Sequence, residues 1–239
     1  MKKHIVNHGD KTIEFELERK DVKNINLRVK PDLRILVSAN ERVPIHYIEN
    51  YIKDKSPWIL EKIQHFEKTR NTNALREFVS GETVRYLGKQ YRLRVEQTDK
   101  EEAKFFQGYV YLYVRDKNNY NRKKRLFDQW IKQKADHTFN ESLERMYPKI
   151  KKYGIAKPVI VIRAMKTRWG SCSREKNKIT LNFELIKAPK YCIDYIVLHE
   201  LIHFRYRNHN QEFYNFLTAL MPDWKQRKSL LDSEVVLDV

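Results

Sequence analysis

The segment His199-Glu200-Leu201-Ile202-His203, followed six residues later by His209, limits what this chain can fold into more than any other stretch. On a helix with 3.6 residues per turn, His199 and His203 lie one above the other, so both imidazoles face one point. Glu200 is rotated from them by about a quarter turn, close enough to reach a water held there without binding an ion itself. A catalytic zinc takes three protein ligands and leaves its fourth position open, and His209 is the candidate for the third. Six positions correspond to about 600° of helical rotation, so the backbone must leave the helix before His209 for that ring to swing back. Asn208 is expected to make the turn, because asparagine tolerates left-handed backbone angles. The reading is one zinc per chain on His199, His203 and His209, with Glu200 activating the water.

The surroundings support a helix there. Pro189 suits a first helical turn, and Ile193, Val197, Leu201 and Phe204 form an apolar stripe beside the histidines. The ligand spacing is that of metzincins, but their glycine three residues after the second histidine is Tyr206 here, which argues against a true metzincin turn. The other five histidines, His4, His8, His46, His65 and His137, are scattered and are assigned no chemistry. Cys172 and Cys192 are too few for a cysteine-rich zinc site or a disulfide framework, and they fit a reducing compartment.

With 239 residues the chain can bury one good core or two small ones. An α+β organisation is expected, with a β-rich region over 1–120 and the chemistry within 121–239. Ile25, Leu27 and Val29, then Leu33, Ile35 and Val37 beyond Pro31-Asp32, alternate as a hairpin does. A helix near 44–67 follows from the spacing of Ile45, Ile48, Ile52, Trp58, Ile59, Ile63 and Phe66, with an interruption expected at Pro57. Lys68 to Arg76 reads as a linker. Val84 and Tyr86, then Tyr91, Leu93 and Val95 across a Leu-Gly-Lys turn, then Tyr109, Tyr111 and Tyr113, predict a small antiparallel sheet. The tyrosine row is either a platform for stacking bases or ordinary sheet packing, and the β-propensity of aromatics favours packing. A long helix from about Asn121 is marked by Leu126, Trp130, Ile131, Phe139, Leu143 and Met146, ending before Pro148 and Gly154.

The formal net charge of +17 favours nucleic acid or acidic surfaces as partners, although scattered lysines also serve plain solubility. The basic N-terminus has no apolar stretch behind it and no later run could span a bilayer, so a cytoplasmic chain without a membrane partner is expected.

Upstream of the histidines, Arg168-Trp169-Gly170-Ser171-Cys172 and the alternating Ile179 to Phe183 predict a second hairpin, with a further strand at Val159 and Val161. An extended peptide could pair with an exposed edge strand at Arg168 to Cys172, and Arg168 could hold a carboxylate or phosphate. Equally, Trp169 could be core, Gly170 permit a bend and Arg168 bridge to an internal acid. RWGSC, LNFELI, APKYCIDYIVLHELIH, NHNQEFY and MPDW together resemble the YgjP-like metallopeptidases, relatives of the SprT-like proteases. The KNINLRVKPDLRILVSA hairpin and DKSPWI helix fit the same family, except that Leu33 stands where its Pro-Asp-Gly turn has glycine. The resemblance implies a β-rich N-terminal part joined by the long helix to a minimal zincin-type domain, with metal ligands His199, His203 and His209 and catalytic base Glu200.

The leading reading is a zinc-dependent metallopeptidase acting on protein or peptide, with an analogy to SprT-like proteases placing substrates on DNA. Arg168, Trp169, Gly170, Ser171, Tyr206 and Tyr214 are candidates for substrate contact, with Tyr206, Tyr214 and Arg168 as possible oxyanion donors. Cys172 is not expected to be a nucleophile. One alternative is a metal-dependent nucleoside triphosphate pyrophosphatase, an activity attached to some YgjP-like proteins, with Arg163, Lys166 and Arg168 suited to the phosphates. Another is a basic nucleic-acid-binding protein with a structural metal, which would need a fourth ligand.

Overall fold

The computed structural model of the protein describes residues 2–9, 11–30, 32–70, 76–165 and 167–234. The chain divides into two compact units, Met1–Ala74 and Leu75–Leu237. In the first, β1 (Lys2–His8), β2 (Lys11–Arg19), β3 (Asn26–Val29) and β4 (Ile35–Ala39) form a sheet in the order β1-β2-β4-β3. The expected hairpin is β3 with β4, antiparallel, with Leu27 opposite Val37 and Val29 opposite Ile35. Pro31 lies outside the described residues, but Leu33 takes φ 71, the left-handed backbone that favours glycine. The β1–β2 hairpin was not foreseen, although Ile13, Phe15 and Leu17 alternate and are buried.

Helix α1 (Ile45–Arg70) packs Ile48, Ile52 and Ile59 into the core of this unit. It runs through Pro57 without the expected interruption. Pro57, Lys53 and Asp54 are exposed, so the carbonyl that loses its helical donor faces water, while on the inner side the buried Ser56 Oγ donates to the Ile52 carbonyl at 2.9 Å. Trp58, read as part of the apolar face, is 40% exposed. Of the expected linker, 71–75 lie outside the described residues, residues 68–70 are helical, and Arg76 pairs with Glu82 at 3.1 Å.

The second unit opens with β5 (Thr83–Tyr86), β6 (Lys89–Gln97), β7 (Glu102–Phe106) and β8 (Tyr109–Val114), in the order β5-β6-β8-β7. The sheet is mixed rather than antiparallel as expected. β7, whose charged sequence hid it, forms a tight hairpin with one edge of β8 and leaves the other edge to pair parallel with β6. Leu93, Val110, Leu112 and Val114 share one core with helix α2 (Tyr120–Met146), which buries Leu126, Trp130, Phe139 and Leu143. The division between units therefore falls near residue 75 and not at 120, because this sheet has its apolar face in the same core as the long helix. On the other face Tyr111 stacks on Tyr113, the Arg94 guanidinium lies 3.7 Å from the Tyr109 ring centre, and Lys104 covers Tyr113. With those rings covered, the row is sheet packing.

After α3 (Pro148–Lys151), β9 (Val159–Arg163), β10 (Gly170–Ser173) and β11 (Lys178–Asn182) form a small sheet in the order β10-β11-β9. The predicted hairpin is β10 with β11, and β9 runs parallel to β11. Helices α4 (Lys190–Ile202), α5 (Gln211–Leu220) and α6 (Trp224–Glu234) complete the chain. Instead of one stripe, α4 buries most of its circumference, including Cys192, Ile193, Val197, Leu198, Leu201 and Ile202. No helix among the described residues is long and apolar enough to cross a membrane.

Candidate metal centre

Helix α4 carries His199 and Glu200 in its last turn and ends at Ile202, with His203 as its C-cap. The chain turns away at once, through hydrogen bonds from the Phe204 N–H to the Leu201 carbonyl and from the Tyr206 N–H to the Ile202 carbonyl. Asn208 is not the pivot: its φ is not positive, and the helix has ended well before it. The buried apolar surface of α4 stops at Ile202, and the polar run Arg205 to Asn210 leaves into solvent.

This early exit returns His209 to the other two rings. One ring nitrogen from each of His199, His203 and His209 lies within 4.8 Å of the others, and the Nε2 atoms of His199 and His209 are 2.8 Å apart. Tetrahedral zinc with nitrogen ligands holds them about 3.4 Å apart, within the range these rings span. The His203 Nδ1–H donates to the Tyr206 carbonyl at 3.0 Å, which fixes the tautomer and leaves Nε2 as a lone-pair donor. Burial pushes the His199 pKa down to about 3, with His203 and His209 adding to the effect, and burial also lowers His203. Neutral imidazoles of this kind suit a cation. Among the described residues the cluster has three members and no fourth.

Phe213, fully buried on α5, is the floor of the cluster. Its ring centre lies 4.9 Å from those of His199 and His203 and 4.8 Å from that of His209. The Asn210 side chain caps α5 by accepting from the Phe213 N–H, which sets the floor just after the third histidine. Tyr214 stacks between His209 and Trp224.

Glu200 is buried against Gly170 at the start of β10. A Cβ on Gly170 would lie 2.6 Å from Glu200 Oε1 and under 3 Å from two further side-chain atoms. Gly170 therefore serves a close approach and not the bend considered from sequence. Burial raises the Glu200 pKa to about 8, and the Arg168 charge partly opposes it. β10 is an edge of its sheet and borders an open cleft of about 790 Å³. Arg168, Trp169, Gly170 and Ser171 line that cleft together with the histidines and Glu200. Tyr206 and Tyr214 do not: Tyr206 contributes its carbonyl to His203, and its ring packs against Phe216. Arg168 pairs with no acid among the described residues. Of the basic trio, Arg163 is not on the cleft and Lys166 lies outside the described residues. Cys172 lines the cleft, but burial, aided by Glu200, pushes its thiol up to about 11, far from a nucleophile's range.

Several positioning residues were invisible in the sequence. The fully buried Asn182 donates to the carbonyls of Met165 and Arg168 and so ties the strand before α4 to the segment carrying Arg168. Asp194 on α4 accepts from Ser142 at 2.6 Å and Arg145 at 2.8 Å, fixing the helix to α2. The Leu87-Gly88 turn donates both backbone N–H groups to the carbonyls of Ile186 and Lys187, and a Cβ on Gly88 would lie 2.6 Å from Pro189. The upstream sheet thus holds the start of the histidine helix.

The sequence profile of the YgjP-like metallopeptidase domain matches residues 23–234. No curated protein matches the chain. Among solved structures, the metallopeptidase zymogen jannalysin of Methanocaldococcus jannaschii is 24% identical, over 38% of this chain and 90% of its own, with a TM-score of 0.32. The zymogen abylysin of Pyrococcus abyssi is 24% identical, over 39% and 89%, with a TM-score of 0.33.

Proposed function

The chain belongs to the YgjP-like metallopeptidase family, and from that premise we propose that it is a single-zinc peptidase in which His199, His203 and His209 hold the ion and Glu200 moves the proton. The observation that carries this reading is the convergence of three histidine rings on Phe213, beside a buried carboxyl and an open cleft. Bound there, zinc would supply Lewis-acid polarisation of a peptide carbonyl and make water nucleophilic near neutral pH. Glu200, buried beside the histidines on the cleft, is placed to take a proton from an attacking water and to return it to the leaving amine. The backbone of Gly170 and Ser171 on the β10 edge pairs with an extended substrate and aligns its carbonyl. Arg168 stands beside Glu200 and keeps its proton affinity from rising further.

That the cluster has three members and no fourth among the described residues favours this reading over a structural zinc in a nucleic-acid-binding module, which would be closed by a fourth ligand. The net charge of +17 supports substrates held on nucleic acid, which salt-dependent retention of the protein on DNA would test. The deciding experiment measures metal content and cleavage of an unfolded protein in parallel. About one zinc per chain, lost in a His199→Ala, His203→Ala double variant, with cleavage abolished and zinc retained in Glu200→Gln, is the expected result. A wild-type protein that takes up no zinc, or a Glu200→Gln variant that cleaves normally, overturns the proposal.

A further inference from the structure

The charge along the cleft is one-sided. Arg168, Arg174 and Arg207 line it, against the acids Glu175 and the buried Glu200. Arg174 is committed, since its Nε donates to the His203 carbonyl at 2.6 Å. The guanidinium groups of Arg168 and Arg207 are exposed and have no ion pair or hydrogen bond among the described residues. Four other arginines of this unit are ion-paired, Arg76 with Glu82, Arg122 with Glu101, Arg145 with Asp194 and Arg227 with Asp223, and neither Arg125 nor Arg163, which have no such partner among the described residues, lines the cleft. The two unpaired groups come from separate segments, Arg168 just ahead of the edge strand β10 and Arg207 between the second and third histidines. An unpaired guanidinium in a cleft is a fork of donors waiting for a planar anion.

We propose that this cleft selects peptides with acidic side chains near the bond to be cut, with Arg168 and Arg207 as the recognising groups. The proposal rests on the peptidase reading and adds the substrate class to it. An aspartate or glutamate in an extended peptide along β10 meets these guanidinium groups, whereas lysine or arginine there meets like charge. Because both groups are exposed, the preference is screened by salt and shrinks as ionic strength rises.

Three quenched fluorescent peptides of identical length, with the central residues flanked by aspartate and glutamate, by alanine, or by lysine, provide the test with the zinc-loaded full chain. The expected result is a kcat/KM about tenfold higher for the acidic peptide than for the lysine peptide at low salt, falling toward parity at high salt. Arg207→Lys keeps most of the preference, and the Arg168→Glu, Arg207→Glu double variant reverses it, with zinc content and circular dichroism confirming that the variants fold. Equal cleavage of all three peptides by wild type, or a preference unchanged in the double variant, overturns the acidic selectivity while leaving the peptidase reading intact. Cleavage of no peptide and of no unfolded protein overturns both, and pyrophosphate release from a nucleoside triphosphate would then assign the two arginines to phosphate.

Discussion

Gly170 and Glu200 are in such close contact that a methyl group placed on the glycine would lie 2.6 Å from the Oε1 atom of the glutamate. The neighbour is a carboxyl buried at 5% exposure, so it has little room to yield. Gly170→Ala is expected to displace Glu200 from its place beside the histidines and lower kcat by more than about tenfold, while zinc content stays near wild type. Zinc analysis combined with steady-state kinetics checks this, and an alanine variant of normal kcat would show that the carboxyl is not held by this contact.

Phe213 touches all three histidine rings, so shortening it acts on the ligands and the core together. Phe213→Ala is expected to cost about 3–5 kcal/mol in stability, as for other buried phenylalanines. It should also weaken zinc binding, which competition against a chromogenic chelator would read. Phe213→Leu, which fills more of the volume, should fall between the two. If zinc affinity is unchanged in both, the rings hold their positions without this floor.

In the metal-free protein, stability should depend on pH through Glu200 and His199 in opposite senses. The folded state keeps the Glu200 proton up to about pH 8, whereas the unfolded carboxyl releases it near 4.5, so this contribution to stability falls as pH rises between those values. His199 is neutral in the folded state down to about pH 3, whereas the unfolded ring takes a proton below 6.5, so its contribution falls as pH drops through that range. Glu200→Gln removes the first effect alone. Its melting temperature, after chelation, should exceed that of wild type by more at pH 8 than at pH 5, and an equal difference at both would contradict the raised proton affinity.

The left-handed Leu33 offers a stability test in the N-terminal unit. A leucine in that backbone region costs roughly 1 kcal/mol or more, which glycine avoids. Leu33→Gly should therefore raise the denaturation midpoint of the unit built on β1 to β4 and α1, as followed by hydrogen exchange of β3 and β4. A lowered midpoint would mean that the packing of the leucine outweighs its backbone strain.

Elements held by local pattern were legible in the sequence. The 3.6-residue spacing predicts α2 and α4, and alternation predicts the β3–β4 and β10–β11 hairpins. The i, i+4 histidines and the third histidine also pointed to one place, and the structure brings them together. What escaped depends on partners distant in the chain. The parallel pairing of β6 with β8 follows from where β7 lies, not from the residues of either strand. Tyr206 was considered for its side chain, but it is its carbonyl that meets His203. Phe213 and Asn182 look like ordinary core and loop residues until the fold sets one beneath three histidines and the other across two carbonyls.

The bonds from Leu87 and Gly88 to Ile186 and Lys187 have a bearing on how such a protein comes into being. They close a loop of about a hundred residues, yet the entropy of closure grows only with the logarithm of length, so a distant docking point is hardly dearer than a near one. During translation the strands bearing that turn leave the ribosome well before the histidine helix, and His209 and Phe213 follow later still. The helix is thus synthesised after the turn it docks on, and the three histidines cannot converge before His209 and Phe213 have been made. A nascent chain therefore carries an incomplete set of histidines until more than 200 of its residues have been joined.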